Sequence, residues 1–250
     1  MAGAPLKSAS NTARSGSATA AGAPSSRPER KRQRAAAVGF DLDGTLVDSL
    51  EDIRAALNLT LVELGRAPLG SEEVRGYVGD GAAKLVARAL AAPSGHPDVI
   101  TAEARFTAHY LAAPAVHTTL LPGAMTVLTT LRARGAPLAL CTNKPRLPTL
   151  ALLDALELTP LFDVVVCGDD LPERKPSPLP LLQLCQALDI SPRSLVFVGD
   201  GPQDVLAARR AGSVSVAVTG GFAEAAALAQ SKPSHTLPDL LGLPALLERL

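Results

Sequence analysis

Tryptophan is absent from this chain, and aromatic residues make up only 3% of it. A groove for single-stranded nucleic acid stacks bases on aromatic faces, so that class of function has little to build on. Cysteine is scarce too: Cys141, Cys167 and Cys185 are odd in number and lack metal-ligand spacing. Each lies in an apolar strand-like or helical run, the pattern of buried, reduced thiols in a cytoplasmic protein. No apolar run approaches the roughly 20 residues that cross a bilayer, and no signal-peptide core is present. Net charge is also missing, at zero over 250 residues, but it is unevenly spread. Residues 1–34 hold seven Lys and Arg side chains against Glu29, a surplus of six that the remainder must cancel. An acidic body lacks the basic footprint that phosphate backbones require. Neither nucleic acid nor membrane is expected as a partner, and the chain is expected to be a monomer or homodimer.

Residues 1–34 are Ala, Ser, Gly, Pro and Arg, with almost nothing to bury. Such a segment cannot offset its ordering entropy and is expected to be a disordered basic tail. The apolar run Ala35 to Phe40 reads as a buried strand that ends abruptly in Asp41. Residues 49–118 then read as helical: Ile53, Leu57, Leu61 and Leu64 recur at helical spacing and Gly65 supplies a stop. Ser71 opens a short helix, Gly79-Asp80-Gly81 breaks the pattern, and helices follow over Ala82–Ala92 and about Pro97–Ala112. From Leu120 strands alternate with helices: Pro137–Cys141, Asp163–Cys167, Ser194–Val198 and Val214–Val218, before a leucine-rich C-terminus expected to be helical. The alternation predicts a doubly wound parallel α/β sheet, with apolar strands covered on both faces. The domains expected are a core over 35–48 and 119–250 and an inserted helical cap over 49–118.

Ligands of such sheets bind beyond the carboxyl ends of the strands. Several strands here end in polar residues at that edge: Asp41 and Asp43, Thr142 and Asn143, and Asp200 with Asp204, with Lys175 in a loop of the same half. Carboxylates held close together are costly unless a cation or proton lies between them. Oxygen ligands without histidine select a hard cation, and Mg2+ fits best because it bridges phosphate. Asp41 and Asp200 are expected to give one carboxylate oxygen each, and the main-chain carbonyl of Asp43 a third. Thr142, its neighbouring amides and Lys175 would balance phosphoryl charge. Asp204, on the first turn of a helix, either orients a metal-bound water or simply answers the helix N-terminus.

Asp41-Leu-Asp43-Gly-Thr45, Thr142, Lys175-Pro176 and Gly199-Asp200-Gly-Pro-Gln-Asp204 resemble, in order, the four motifs of the haloacid dehalogenase-like superfamily. Leu140–Pro145, Cys167–Pro176 and Tyr77–Gly81 are similar to segments of bacterial phosphoglycolate phosphatases. The resemblance implies a Mg2+-dependent phosphomonoester hydrolase, with 2-phosphoglycolate as the small phosphate ester hydrolysed. It makes Asp41 the nucleophile and Asp43 the acid and base. Thr142, Asn143 and Lys175 would hold the phosphoryl group, and Asp41, Asp43 and Asp200 the metal. Another small ester such as a sugar phosphate, a phosphomutase, or a non-catalytic binding module on the same fold are the alternatives. Gly201 and Gln203 depart from the Ser or Asn often found there, which puts the surroundings of Asp200 and Asp204 in question. A substrate carboxylate needs a cationic or amide-rich contact, for which Gly79–Gly81, Lys84 and Arg174 are candidates.

Overall fold

The computed structural model describes residues 37–250; the expected basic tail lies outside them. Strand β1 (Ala37–Phe40) is buried throughout, and β2 (Val47–Asp48) follows a tight turn. Four helices come next: α1 (Leu50–Glu63), α2 (Ser71–Arg75), α3 (Ala82–Leu90) and α4 (Pro97–Ala112). Pro97 opens α4 where its missing N–H costs nothing. After β3 (Thr119–Leu120) the chain alternates: α5 (Ala124–Ala133), β4 (Leu138–Cys141), α6 (Arg146–Ala155), β5 (Val164–Val166) and α7 (Leu179–Ala187). Then come β6 (Leu195–Gly199), α8 (Pro202–Ala211), β7 (Val214–Val218), α9 (Ala225–Gln230), β8 (His235–Leu237) and α10 (Leu243–Leu247).

Six strands form one sheet in the order β5-β4-β1-β6-β7-β8, with every pairing parallel. β1 is central, and strand order reverses on either side of it, which is where such sheets open a crevice. Side chains alternate along each strand, and the alternation sorts the core in two. Val38, Phe40, Leu138, Leu140, Val196 and Val198 face Leu128, Leu152 and Leu243 on one side. Ala37, Ala139, Cys141, Leu195 and Phe197 face Leu181, Leu184, Ala207 and Ala208 on the other. Covering both faces explains why these strands read as unbroken apolar runs.

The helices after β2 make a cap with its own apolar cluster, including Ile53, Leu57, Val74, Leu85, Phe106 and Tyr110. Its entry and exit are stitched together. β2 pairs antiparallel with β3, and the buried Asp52 carboxylate accepts from the N–H of His117 and the N–H and hydroxyl of Thr118. The sequence reading missed that two-stranded pairing. It also gave a helical C-terminus where β8 adds a sixth strand beside β7. His235-Thr236-Leu237 is short and only partly buried, so it carries no apolar run, and only the free edge of β7 recruits it.

Candidate active site

Asp41 is held at the carboxyl edge by the ladder itself, since its N–H donates to Val198 O at 2.9 Å. The chain then turns at Gly44, whose φ of +82° suits glycine, and a Cβ there would lie 2.4 Å from Asp200 Oδ2. Gly221 meets Asp200 from the other side, with a Cβ position 2.3 Å from Asp200 Cβ. Two glycines therefore let the backbone close around this carboxylate. Asp200 accepts from the Thr45 hydroxyl at 3.2 Å and from the Phe222 N–H at 2.7 Å.

Lys175, 1% exposed, is the hub. Its Nζ lies 2.9 Å from Asp41 Oδ1 and donates to Asp204 Oδ1 at 2.6 Å and to Cys141 O at 2.7 Å. Burial alone would lower the pKa of this ammonium, but Asp204 and Asp41 outweigh that and hold it raised. The carboxylates lack such full compensation. Burial, then the charge of Asp204, pushes Asp41 up to about 7 despite Lys175. Burial, then Asp41, pushes Asp200 up to about 7 as well. Oxygens of Asp41, Asp200 and Asp204 lie within 4.8 Å of one another, a group that could hold a metal ion. Asp41 Oδ1 forms its ion pair with Lys175 but no well-formed hydrogen bond. Such a set is incomplete without a further cation.

Asp204 answers its helix N-terminus, accepting from the Gly201 N–H at 3.0 Å, while its other oxygen anchors Lys175. Gly201 and Gln203 prove to be coupled. A Cβ at 201 would lie 2.1 Å from Gln203 Nε2, so Gln203 fills the space that a side chain at 201 would take. The same amide lies 2.9 Å from the Cβ position of Gly79 in the cap.

Asp41, Asp43, Thr142, Asn143 and Lys144 line a small cleft of about 50 Å³, closed on the cap side by Ile53, Val78, Leu85, Phe106 and Tyr110. Asp43 has a different set of partners from Asp41. It accepts from the Ser49 hydroxyl and from Lys144 Nζ at 3.2 and 3.3 Å. Asn143 donates from its side-chain amide to Gly79 O and to Lys175 O, both at 2.9 Å, tying cap to core. Of the candidates for substrate recognition, Gly79 and Gly81 line the cleft, whereas Lys84 and Arg174 do not. Lys84 reaches Asp80 at 3.8 Å from an exposed position, and Arg174 donates to Asp80 O at 3.4 Å. Lys144, Tyr110 and Phe222 went unassigned in the sequence. The sharpest signal missed is Thr219-Gly220-Gly221 after an apolar strand, at the same edge as the other polar strand ends.

The chain has clear relatives among known proteins. The chain is 42% identical over 211 residues to a phosphoglycolate phosphatase of Chromobacterium violaceum, covering 83% of this chain and 95% of that one. It is 44% identical over 221 residues to one of Rhodospirillum rubrum, covering 83% and 91%. The crystal structure of a predicted phosphoglycolate phosphatase from Haemophilus somnus superimposes with a TM-score of 0.78 at 32% identity, covering 84% of this chain and 97% of that one. Residues 35–212 match the family model of the haloacid dehalogenase-like hydrolases. A lysine clasped between the aspartate of the first strand and that of a later helix is thus seen in a chain that belongs to the haloacid dehalogenase-like hydrolase family.

Proposed function

We propose that this chain hydrolyses phosphate monoesters with Mg2+, and that 2-phosphoglycolate, giving glycolate and phosphate, is its substrate. The observation carrying the reading is the buried Lys175 between Asp41 and Asp204, with Asp200 alongside. Asp41, the Asp43 main-chain carbonyl and Asp200 would hold Mg2+, which supplies positive charge to the phosphoryl oxygens. The raised pKa values of Asp41 and Asp200 support this, because charges buried together call for a cation.

Asp41 attacks phosphorus, forming an aspartyl-phosphate as the ester P–O bond breaks. Protonated Asp43 delivers its proton to the leaving alkoxide. Asp43 then takes a proton from water as that water attacks phosphorus, which releases phosphate and restores Asp41. Thr142 and Lys175 stabilise charge spread over the phosphoryl oxygens, a task of positioning and electrostatics. Asn143, whose side-chain amide is already engaged, contributes through its main chain and by holding Gly79 down. The names of the relatives support 2-phosphoglycolate. A sugar phosphate fits less well, since Ile53, Val78, Leu85 and Phe106 offer no partners for hydroxyls. Phosphate release from a panel of esters, with and without Mg2+, tests the reading: 2-phosphoglycolate should be preferred, and chelation should stop turnover.

A further inference from the structure

The cap side of the cleft is apolar, and Lys175 lies beneath the floor with three acceptors already in contact. Among the described residues lining the cleft, Lys144 is the only cation. It is buried, sits 3.2 Å from Asp43 Oδ1, and stands 4.2 Å above the Tyr110 ring. A buried lysine is unusual unless paired, and this one shares its partner with Ser49, which also donates to Asp43. Tyr110, 1% exposed on α4, carries a buried hydroxyl whose partner is the same ammonium. An ammonium and a phenolic O–H side by side on one apolar wall make a site complementary to a carboxylate.

We propose that Lys144 and Tyr110 bind the carboxylate of the substrate and so select short phosphate esters that carry one next to the ester carbon. This rests on the phosphatase reading above and names the feature of the substrate that the cleft recognises. Lys144 exchanges its contact with Asp43 for the substrate carboxylate, leaving Asp43 held by Ser49. Selection then operates at the step that frees Asp43 for proton transfer, and an ester without a carboxylate leaves the Lys144–Asp43 pair in place.

The test compares 2-phosphoglycolate with ethyl phosphate, which replaces the carboxylate by a methyl group, in wild type, K144M, K144R and Y110F. The readout is the ratio of kcat/KM for the two esters. Removing a charge-assisted contact should lower that ratio about 10²-fold in K144M and about tenfold in Y110F. K144R should recover part of the loss. A purely positional role at Asp43 would slow both esters alike, and an unchanged ratio in K144M and Y110F would overturn the proposal. If K144M does not fold, Y110F and K144R decide by the same ratio. A wild type that hydrolyses both esters without preference also overturns it, together with the choice of 2-phosphoglycolate, and leaves phosphomonoester hydrolysis standing. A wild type that hydrolyses neither overturns the phosphatase reading itself.

Discussion

Asp41 and Asp43 are two residues apart, yet each meets its own lysine, Asp41 with Lys175 and Asp43 with Lys144. Both carboxylates line the cleft, Asp41 beside Asp200 and Asp204, Asp43 between Ser49 and Lys144. Asp43→Asn removes the proton donor while keeping the shape, so phosphate release should slow by about 10²–10⁴. A rate within a few-fold of wild type would exclude Asp43 as acid and base. Gly44 offers a second test at this scale. A methyl group there would enter the Asp200 carboxylate and would also have to adopt a positive φ. Gly44→Ala should lower kcat about 10²-fold, the usual effect of displacing a reacting centre by an ångström or so. Its melting temperature should fall too. Wild-type kinetics would show that Asp200 can move without consequence.

The tips of β1 and β6, together with the start of α8, bring three buried carboxylates to one edge, and their titration links the site to stability. Without a divalent ion, Asp41 and Asp200 hold protons up to about pH 7, against an ordinary carboxylate value of 3.8. Between those values the folded chain binds more protons than the unfolded one, so its stability falls as pH rises through that window. On the proposed reading Mg2+ would bind the deprotonated set, so its stabilising effect should grow with pH. Melting temperatures in chelator and in excess Mg2+ should differ more at pH 8 than at pH 5, and an equal or reversed gap would contradict this. The strand tips were legible because an apolar run ending in Asp or Thr marks a buried strand delivering a polar group. Lys144 was not, because nothing in Asn-Lys-Pro distinguishes a solvated lysine from one buried against Asp43 and Tyr110. β8 was hidden for the opposite reason, since an edge strand of three partly exposed residues has no pattern of its own.

Over the described residues, the cap and the sheet have separate apolar clusters, joined by Phe222 packed against the cap cluster and by polar contacts at the cleft. Asn143 to Gly79 and Arg174 to Asp80 are two of them, and both reach the glycine-rich break between α2 and α3. The helical block and the alternating block were readable from periodicity; how tightly that break is held against the core was not, because it depends on contacts between residues distant in sequence. Leu57 is fully buried in the cap cluster. Leu57→Ala should cost about 2–5 kcal/mol in urea unfolding, and a cost under about 1 kcal/mol would mean that the cap is not packed as described. The central claim concerns the bond formed at Asp41. Borohydride added during turnover of 2-phosphoglycolate reduces an acyl phosphate to an alcohol, and peptide mass spectrometry then reads which carboxyl group carried it. Reduction at Asp41, dependent on substrate and on Mg2+, is the result predicted. Continued turnover with Asp41 untouched, or undiminished phosphate release by Asp41→Asn, would contradict the account.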